Sequence, residues 1–258
     1  MILDEIVARR RKQLAREIAA VPPDEIQRRA AKAPAPRNFA GVLERSGLSV
    51  IAEVKKASPS KGVICEDFHP AQIAQTYEKA GADALSVLTE EHYFQGSAAY
   101  LQEIRKAVSL PILRKDFIID PYQIYEARAI GADAVLLIAA ILDDETLTGF
   151  LKLAGNLGLA CLTEVHDENE LARAIRLDCP IIGINNRNLK TFEVSLDTTG
   201  RLAGQVPAGR TVVSESGIKT NADMRTVREQ GADAVLIGET LMRSGNVAAA
   251  LDELRRGV

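Results

Sequence analysis

Gly131-Ala132-Asp133-Ala134-Val135-Leu136-Leu137-Ile138 (131–138) reads as the end of one helix followed at once by a buried strand. Its first four residues recur. Gly-Ala-Asp-Ala stands at 81–84 and again at 231–234, each time after an amphipathic stretch and before an apolar run. The copies lie 50 and then 100 residues apart, and the missing one falls near 181, where Leu177-Asp178-Cys179-Pro180 opens I-I-G-I. A period of about 50 residues is two strand–helix units, so four periods make eight. Apolar strand candidates duly appear at 49–54, 83–88, 111–114, 133–138, 159–163, 181–185, 211–214 and 234–237. Helical stretches such as 70–80, 121–130, 168–176 and 221–230 lie between them. Alternation of this kind predicts a parallel sheet, and fourfold repetition predicts a closed (β/α)8 TIM barrel, an α/β fold, rather than an open sheet. The repeated Gly reads as a helix C-cap. The repeated Asp falls at the N-terminal end of each strand, the face of such barrels concerned with stability, so all three are read as structural.

The first strand leads into Val50–Gly62, V-I-A-E-V-K-K-A-S-P-S-K-G. Residues two apart share a face, so Ile51, Glu53 and Lys55 point one way while Ala52 and Val54 point the other. A carboxylate and an ammonium in a strand covered on both faces must be offset by partners or serve a function. One such pair at a strand end reads equally well as an internal ion pair. The other strands tip the balance. Ionisable or polar groups close nearly all of them: Thr89 to Phe94, Arg114-Lys115-Asp116-Phe117, Thr163-Glu164, Asn185-Asn186-Arg187, Ser214-Glu215-Ser216-Gly217 and Gly238-Glu239. Only the fourth strand ends apolar, at Leu136-Leu137-Ile138. In a barrel these positions share one rim, which predicts a catalytic pocket there.

Ser216-Gly217 and Gly238-Glu239 each end a strand and lead toward a helix-like segment. Loops after strands seven and eight commonly hold phosphate in this fold, with backbone N–H groups and a helix N-terminus facing the anion. Glu239 is expected to offer its N–H while its carboxylate turns away. The ligand expected is therefore a small phosphorylated molecule. Lys55, Lys115 and Arg187 supply cations, and Glu53, Glu164 and Glu215 supply acids. Phe94, Phe117, Leu136 and Leu189 fit either an apolar wall for a flat ring or ordinary core packing.

Composition narrows the class. The chain has 258 residues, 47% of them hydrophobic, and a net charge of −3, without a nucleic-acid footprint. The one basic run, Arg9-Arg10-Arg11-Lys12, is read as a solvated helix face. No apolar stretch is long enough to span a membrane and no signal-peptide core is visible. Cys65, Cys161 and Cys179 are odd in number and lack C-x-x-C spacing, which fits a reducing cytoplasm. His69, His92 and His166 are scattered, so no metal is expected, and no nucleotide-binding glycine motif appears. Residues 1–47 read as a helical extension that packs on the barrel of 48–258 without carrying chemistry. Lys and Glu acid–base catalysis without a cofactor is the chemistry expected.

Seven segments together resemble the indole-3-glycerol-phosphate synthase family: I-A-E-V-K-K-A-S-P-S-K-G (51–62), T-E-E-H-Y-F-Q-G-S (89–97), L-R-K-D-F-I (113–118), T-E-V-H-D-E-N-E-L (163–171), G-I-N-N-R-N-L (183–189), S-E-S-G-I (214–218) and L-I-G-E-T-L-M (236–242). The resemblance implies ring closure of 1-(2-carboxyphenylamino)-1-deoxyribulose 5-phosphate to indole-3-glycerol phosphate, with loss of CO2 and water. It also implies other tryptophan-pathway enzymes as partners, and the length implies the single-activity form. Carried over residue by residue, Lys115 is the general acid, Lys55 binds the substrate carboxylate, and Glu164 is the second acid–base group. Glu53 and Asn185 organise the network, and Arg187 holds substrate or orients a carboxylate. Ser58, Ser216, Gly217, Gly238 and Glu239 complete the substrate and phosphate contacts, with Glu215 a weaker catalytic candidate. The rivals are an aldolase using Lys115 as Schiff-base nucleophile, a sister phosphosugar isomerase and a non-catalytic binding barrel.

Overall fold

The computed structural model describes residues 2–45 and 47–258; Met1 and Ser46, both inside the expected extension, lie outside the described residues. Eight parallel strands close on themselves: β1 (Ser49–Val54), β2 (Ala84–Leu88), β3 (Ile112–Lys115), β4 (Ala134–Ile138), β5 (Ala160–Val165), β6 (Ile181–Asn185), β7 (Thr211–Glu215) and β8 (Ala234–Ile237). Each pairs with the next, and β8 pairs with β1, so the barrel leaves no open edge.

Three helices precede the barrel: α1 (Ile2–Ala20), α2 (Pro23–Lys32) and α3 (Phe39–Leu43). Pro23 opens α2, where a missing N–H costs nothing. The outer helices are α4 (Pro70–Lys79), α5 (Ala98–Ala107), α6 (Pro121–Ile130), α7 (Asp144–Asn156), α8 (Glu168–Arg176), α9 (Asp197–Ala203), α10 (Asn221–Glu229), α11 (Glu239–Met242) and α12 (Val247–Arg255). Strand alternation divides the apolar residues into two layers. Ile51, Leu113, Leu136, Leu162, Val213 and Leu236 fill the barrel interior, plugged by Phe39 and Leu43 of α3. Ala52, Val54, Val87, Val135 and Val235 face outward to the helices.

The repeated Asp residues latch each strand to its predecessor. Asp83 accepts the N–H of Val50, Asp133 that of Ile112 and Asp233 that of Val212, each at 2.8 Å. Regular pairing starts one residue later than the apolar runs suggest at β2, β3 and β4, after Asp83, Pro111 and Asp133. Gly131 is the C-cap of α6 with φ of 92°, while Gly81 and Gly231 follow the cap residues Ala80 and Gln230. A left-handed turn in so tight a helix-to-strand junction favours glycine.

The three latches are unequal. Asp133 is buried and also takes the N–H of Arg37 and the guanidinium of Arg105, whereas Asp233 is exposed. Asp133→Ala should lower unfolding stability by about 2–4 kcal/mol, because it strands an Arg and two backbone donors. Asp233→Ala should cost about 1 kcal/mol or less. Urea unfolding of the two variants checks the order; equal losses would mean the shared motif, not burial, sets the strength.

Candidate active site

The C-terminal ends of the strands surround a cavity of about 560 Å³. Lys115 stands on its floor at the end of β3, with Nζ 2.5 Å from Glu215 Oε2 on β7 and 3.3 Å from Glu164 Oε2 on β5. Lys55, the residue after β1, lies 2.5 Å from Glu53 Oε2 on the strand, and both side chains line the cavity as alternation requires. Gly183 and Gly238 are close approaches rather than turns. A Cβ on Gly183 would strike Glu215, and one on Gly238 would strike Glu53 and Lys55.

Burial alone would lower the Lys115 pKa, but the Glu215, Glu164 and Glu53 carboxylates outweigh it and hold the ammonium protonated. The carboxylates diverge. Burial opposes ionisation of Glu164, yet Lys115, His166 and a hydrogen bond from Asn185 hold it well below the usual range. Burial and the nearby Glu164 and Glu53 push Glu215 up to about 7 against the pull of Lys115. The closer partner of Lys115 is thus the harder one to ionise. The reason lies in the other oxygens: Glu164 has two further partners, while Glu215 Oε1 is buried without a hydrogen bond.

Asn185 is fixed from the other side, where its Oδ1 accepts the Ser216 hydroxyl and the Arg187 N–H, both at 3.0 Å. Arg187 reaches the carbonyl of Phe192 at 3.3 Å within the loop after β6. Ser216 and Gly217 both take left-handed backbone, with φ of 67° and 90°. No helix starts there, however. Ile218 to Thr220 intervene before α10, whose capping box joins Thr220 and Asp223. After β8 the chain enters the four-residue α11 directly, and Thr240 donates to the carbonyl of Ile218, tying the two loops together. The Glu239 carboxylate pairs with Arg243 at 3.1 Å, and both residues line the cavity.

All sixteen residues singled out from the sequence line this one cavity, Ser58, Phe94, Phe117, Leu136 and Leu189 included. The four apolar ones divide: Leu136 is buried, while Phe94, Phe117 and Leu189 are half-exposed to the cavity. Among the described residues no set of His, Cys, Asp and Glu converges with metal-ligand geometry.

The helical extension is a correction. Ile2, Leu3 and Ile6 of α1 line the cavity, and the basic run is not one solvated face. Arg10 is 0% exposed. It makes two bonds to Asp116, at 2.9 and 3.0 Å, beside Lys115. Arg114 and Thr89 bind the same carboxylate at 3.0 and 2.8 Å, and Arg114 pairs with Glu126 at 2.6 Å. Burial would raise the Asp116 pKa, but Arg10 and Arg114 hold it low. Ile6, Arg10, Gln13 and Leu14 form the buried stripe of α1, so helical periodicity runs straight through an Arg. Two more residues escaped notice. Glu90 is buried and accepts the N–H groups of His92, Tyr93 and Phe94, which shapes the loop carrying Phe94. His166 stands behind Glu164, with Nε2 3.2 Å from Oε1.

Glu215 supplies a pH signature. Its folded pKa is raised from 4.5 to about 7, so its contribution to stability is whole below about 4.5 and is lost as pH rises through about 7. The thermal midpoint of the wild type relative to Glu215→Gln should fall across that window and level off above it. A difference that is flat, or that grows with pH, would be inconsistent with the raised value.

Comparison with known proteins agrees with this geometry. A family model described as indole-3-glycerol phosphate synthase matches residues 3–254. An indole-3-glycerol phosphate synthase of Alkaliphilus metalliredigens is 49% identical over 259 residues, covering 100% of this chain and 99% of its own. Proteins of the same name from Polaromonas sp. and Acetivibrio thermocellus are 52% and 51% identical over 98% and 99% of this chain, and 97% and 99% of their own. A solved structure called thiamine phosphate pyrophosphorylase, from Pyrococcus furiosus, superposes with a TM-score of 0.61 at 17% identity. It covers 81% of this chain and 94% of its own, a likeness of fold alone. With its closed barrel, its charged rim and relatives about half identical along its whole length, the chain belongs to the indole-3-glycerol phosphate synthase family.

Proposed function

We propose that the cavity closes the indole ring of 1-(2-carboxyphenylamino)-1-deoxyribulose 5-phosphate. The observation that carries this is the Lys115 ammonium, held protonated by carboxylates at the centre of the floor. When the ring carbon bearing the carboxylate attacks the ribulose ketone, the carbonyl oxygen becomes an alkoxide. Lys115 donates the proton that this oxygen needs. Loss of CO2 then restores the aromatic ring. Dehydration needs an acid for the departing hydroxyl and a base for the proton on the adjacent carbon. Glu164, ionised and 3.3 Å from Lys115, suits the base and takes the proton from the adjacent carbon, while Lys55 gives the departing hydroxyl its second proton. Glu164 returns its proton to Lys115, and one proton per turnover is drawn from solvent to restore Lys55.

Lys55 would pair with the substrate carboxylate, oriented by Glu53, while Arg187 and Asn185 hold the network. Phe94, Phe117, Leu136 and Leu189 flank the aromatic ring. The backbone N–H groups at Gly217, Gly238 and Glu239, with Ser58 and Ser216, take up the phosphate. A Schiff-base role for Lys115 would need a neutral amine, which the carboxylates oppose. No helix of the described residues is long and apolar enough to cross a membrane. A cytoplasmic site of action beside other tryptophan-pathway enzymes belongs to the same proposal, supported by three thiols left unpaired.

The chain contains no tryptophan, so product indole emission rises against a protein that has no indole fluorescence of its own. Adding the substrate to purified protein without metal or cofactor should produce that rise, and Lys115→Met should lower kcat by about 10²–10⁴. Binding without emission would refute ring closure, and full activity in Lys115→Met would move the acid elsewhere.

A further inference from the structure

β5 ends at Val165, and the next residue sets an imidazole behind the carboxylate that faces Lys115. His166 donates its backbone N–H to Glu170 Oε2 at 2.8 Å, and its Nδ1 lies 3.0 Å from the same oxygen. Glu170 is itself anchored in the first turn of α8, where its N–H is capped by Asp167 at 2.9 Å. On the other side of the ring, Nε2 stands 3.2 Å from Glu164 Oε1, an ion-pair contact without the geometry of a formed hydrogen bond. The side chain is 13% exposed and does not line the cavity. A neutral imidazole carries one N–H and one lone pair, so in this setting one nitrogen would press a lone pair against a carboxylate. Only the doubly protonated ring suits both neighbours.

We propose that His166 is a positioning residue, an imidazolium clamped between Glu164 and Glu170 that fixes Glu164 with its Oε2 toward Lys115. The inference rests on the reading of Glu164 as the base of the proposed reaction. The charged groups facing the ring are Glu164 from β5 and Glu170 from α8, and Lys115 from β3 reaches the far oxygen of Glu164. Burial pulls His166 toward the neutral form, but the two carboxylates prevail and push its pKa up to about 10. Glu164 thus has a cation at each oxygen, whereas Glu215 has Lys115 alone and an unpartnered Oε1. That difference separates two carboxylates that otherwise share one lysine.

The protein contains three histidines, so imidazole nitrogen signals in NMR are separable by single His→Gln variants. His166 should stay doubly protonated at about pH 8, well above an ordinary imidazole. In Glu170→Gln its titration midpoint should drop by about one unit or more. That variant should also gain an alkaline limb in kcat, a fall of roughly tenfold with KM unchanged, whose midpoint matches the NMR midpoint. His166→Gln should show the loss at every pH. A His166 that titrates near 6.5 in the wild type, or a kcat in Glu170→Gln that ignores the His166 midpoint, would overturn the proposal. The NMR titration needs no turnover. A charged His166 in a protein that forms no indole would therefore sink the ring-closure reading and leave the clamp, and turnover with a neutral His166 would do the reverse.

Discussion

A buried ammonium determines how the rim of this barrel is built. Moving such a group out of water costs several kcal/mol unless anions surround it. Lys115 has Glu215 and Glu164 within reach and Glu53 nearby, which creates the opposite problem of too many carboxylates around one cation. His166 and Asn185 relieve Glu164, and Lys55 relieves Glu53. Behind the floor, Asp116 fixes the backbone next to the lysine through Arg10, Arg114 and Thr89. Each charge on the rim is thus explained by the one before it. Removing Lys115 would leave buried carboxylates uncompensated, whereas removing the Glu215 charge would relieve Glu164 and Glu53 of a like charge.

The opposite end of the barrel solves a different problem with simpler means. There, carboxylates accept backbone N–H groups from adjacent strands, and α3 fills the interior with Phe39 and Leu43. The charges at the base, such as Asp133 with Arg105, serve these strand latches. Chain closure and reaction chemistry are therefore kept at opposite ends of the same strands.

Most of this was legible because it is periodic or local. The Gly-Ala-Asp-Ala spacing implied eight units, and strand alternation put Ile51, Glu53 and Lys55 on one face. The rim emerged because strand ends in a barrel must converge. Arg10 was hidden for a physical reason: a buried Arg looks like a solvated one until its partner, 106 residues away, is known. Its place in an i, i+4, i+8 stripe with Ile6 and Leu14 was the available hint. His166 carried a better one. Glu164 lies two residues before it, and Glu170 four after it on a helix start, so both carboxylates were within local reach. The helix expected straight after Gly217 was displaced because the Thr220 capping box, not the glycine, nucleates it.

The extension has a consequence for how the molecule is made. α1 leaves the ribosome before the barrel, yet its docking partner Asp116 emerges only after the third strand, and the cavity it helps to line needs β8 as well. During synthesis the apolar side of α1, with Ile6 and Leu14, therefore waits without its native cover. Closing so long a chain segment delays the contact relative to local helix formation. A helix translated ahead of the barrel thus finds its full set of contacts only after the barrel has closed, and the wall it adds to the cavity is completed late.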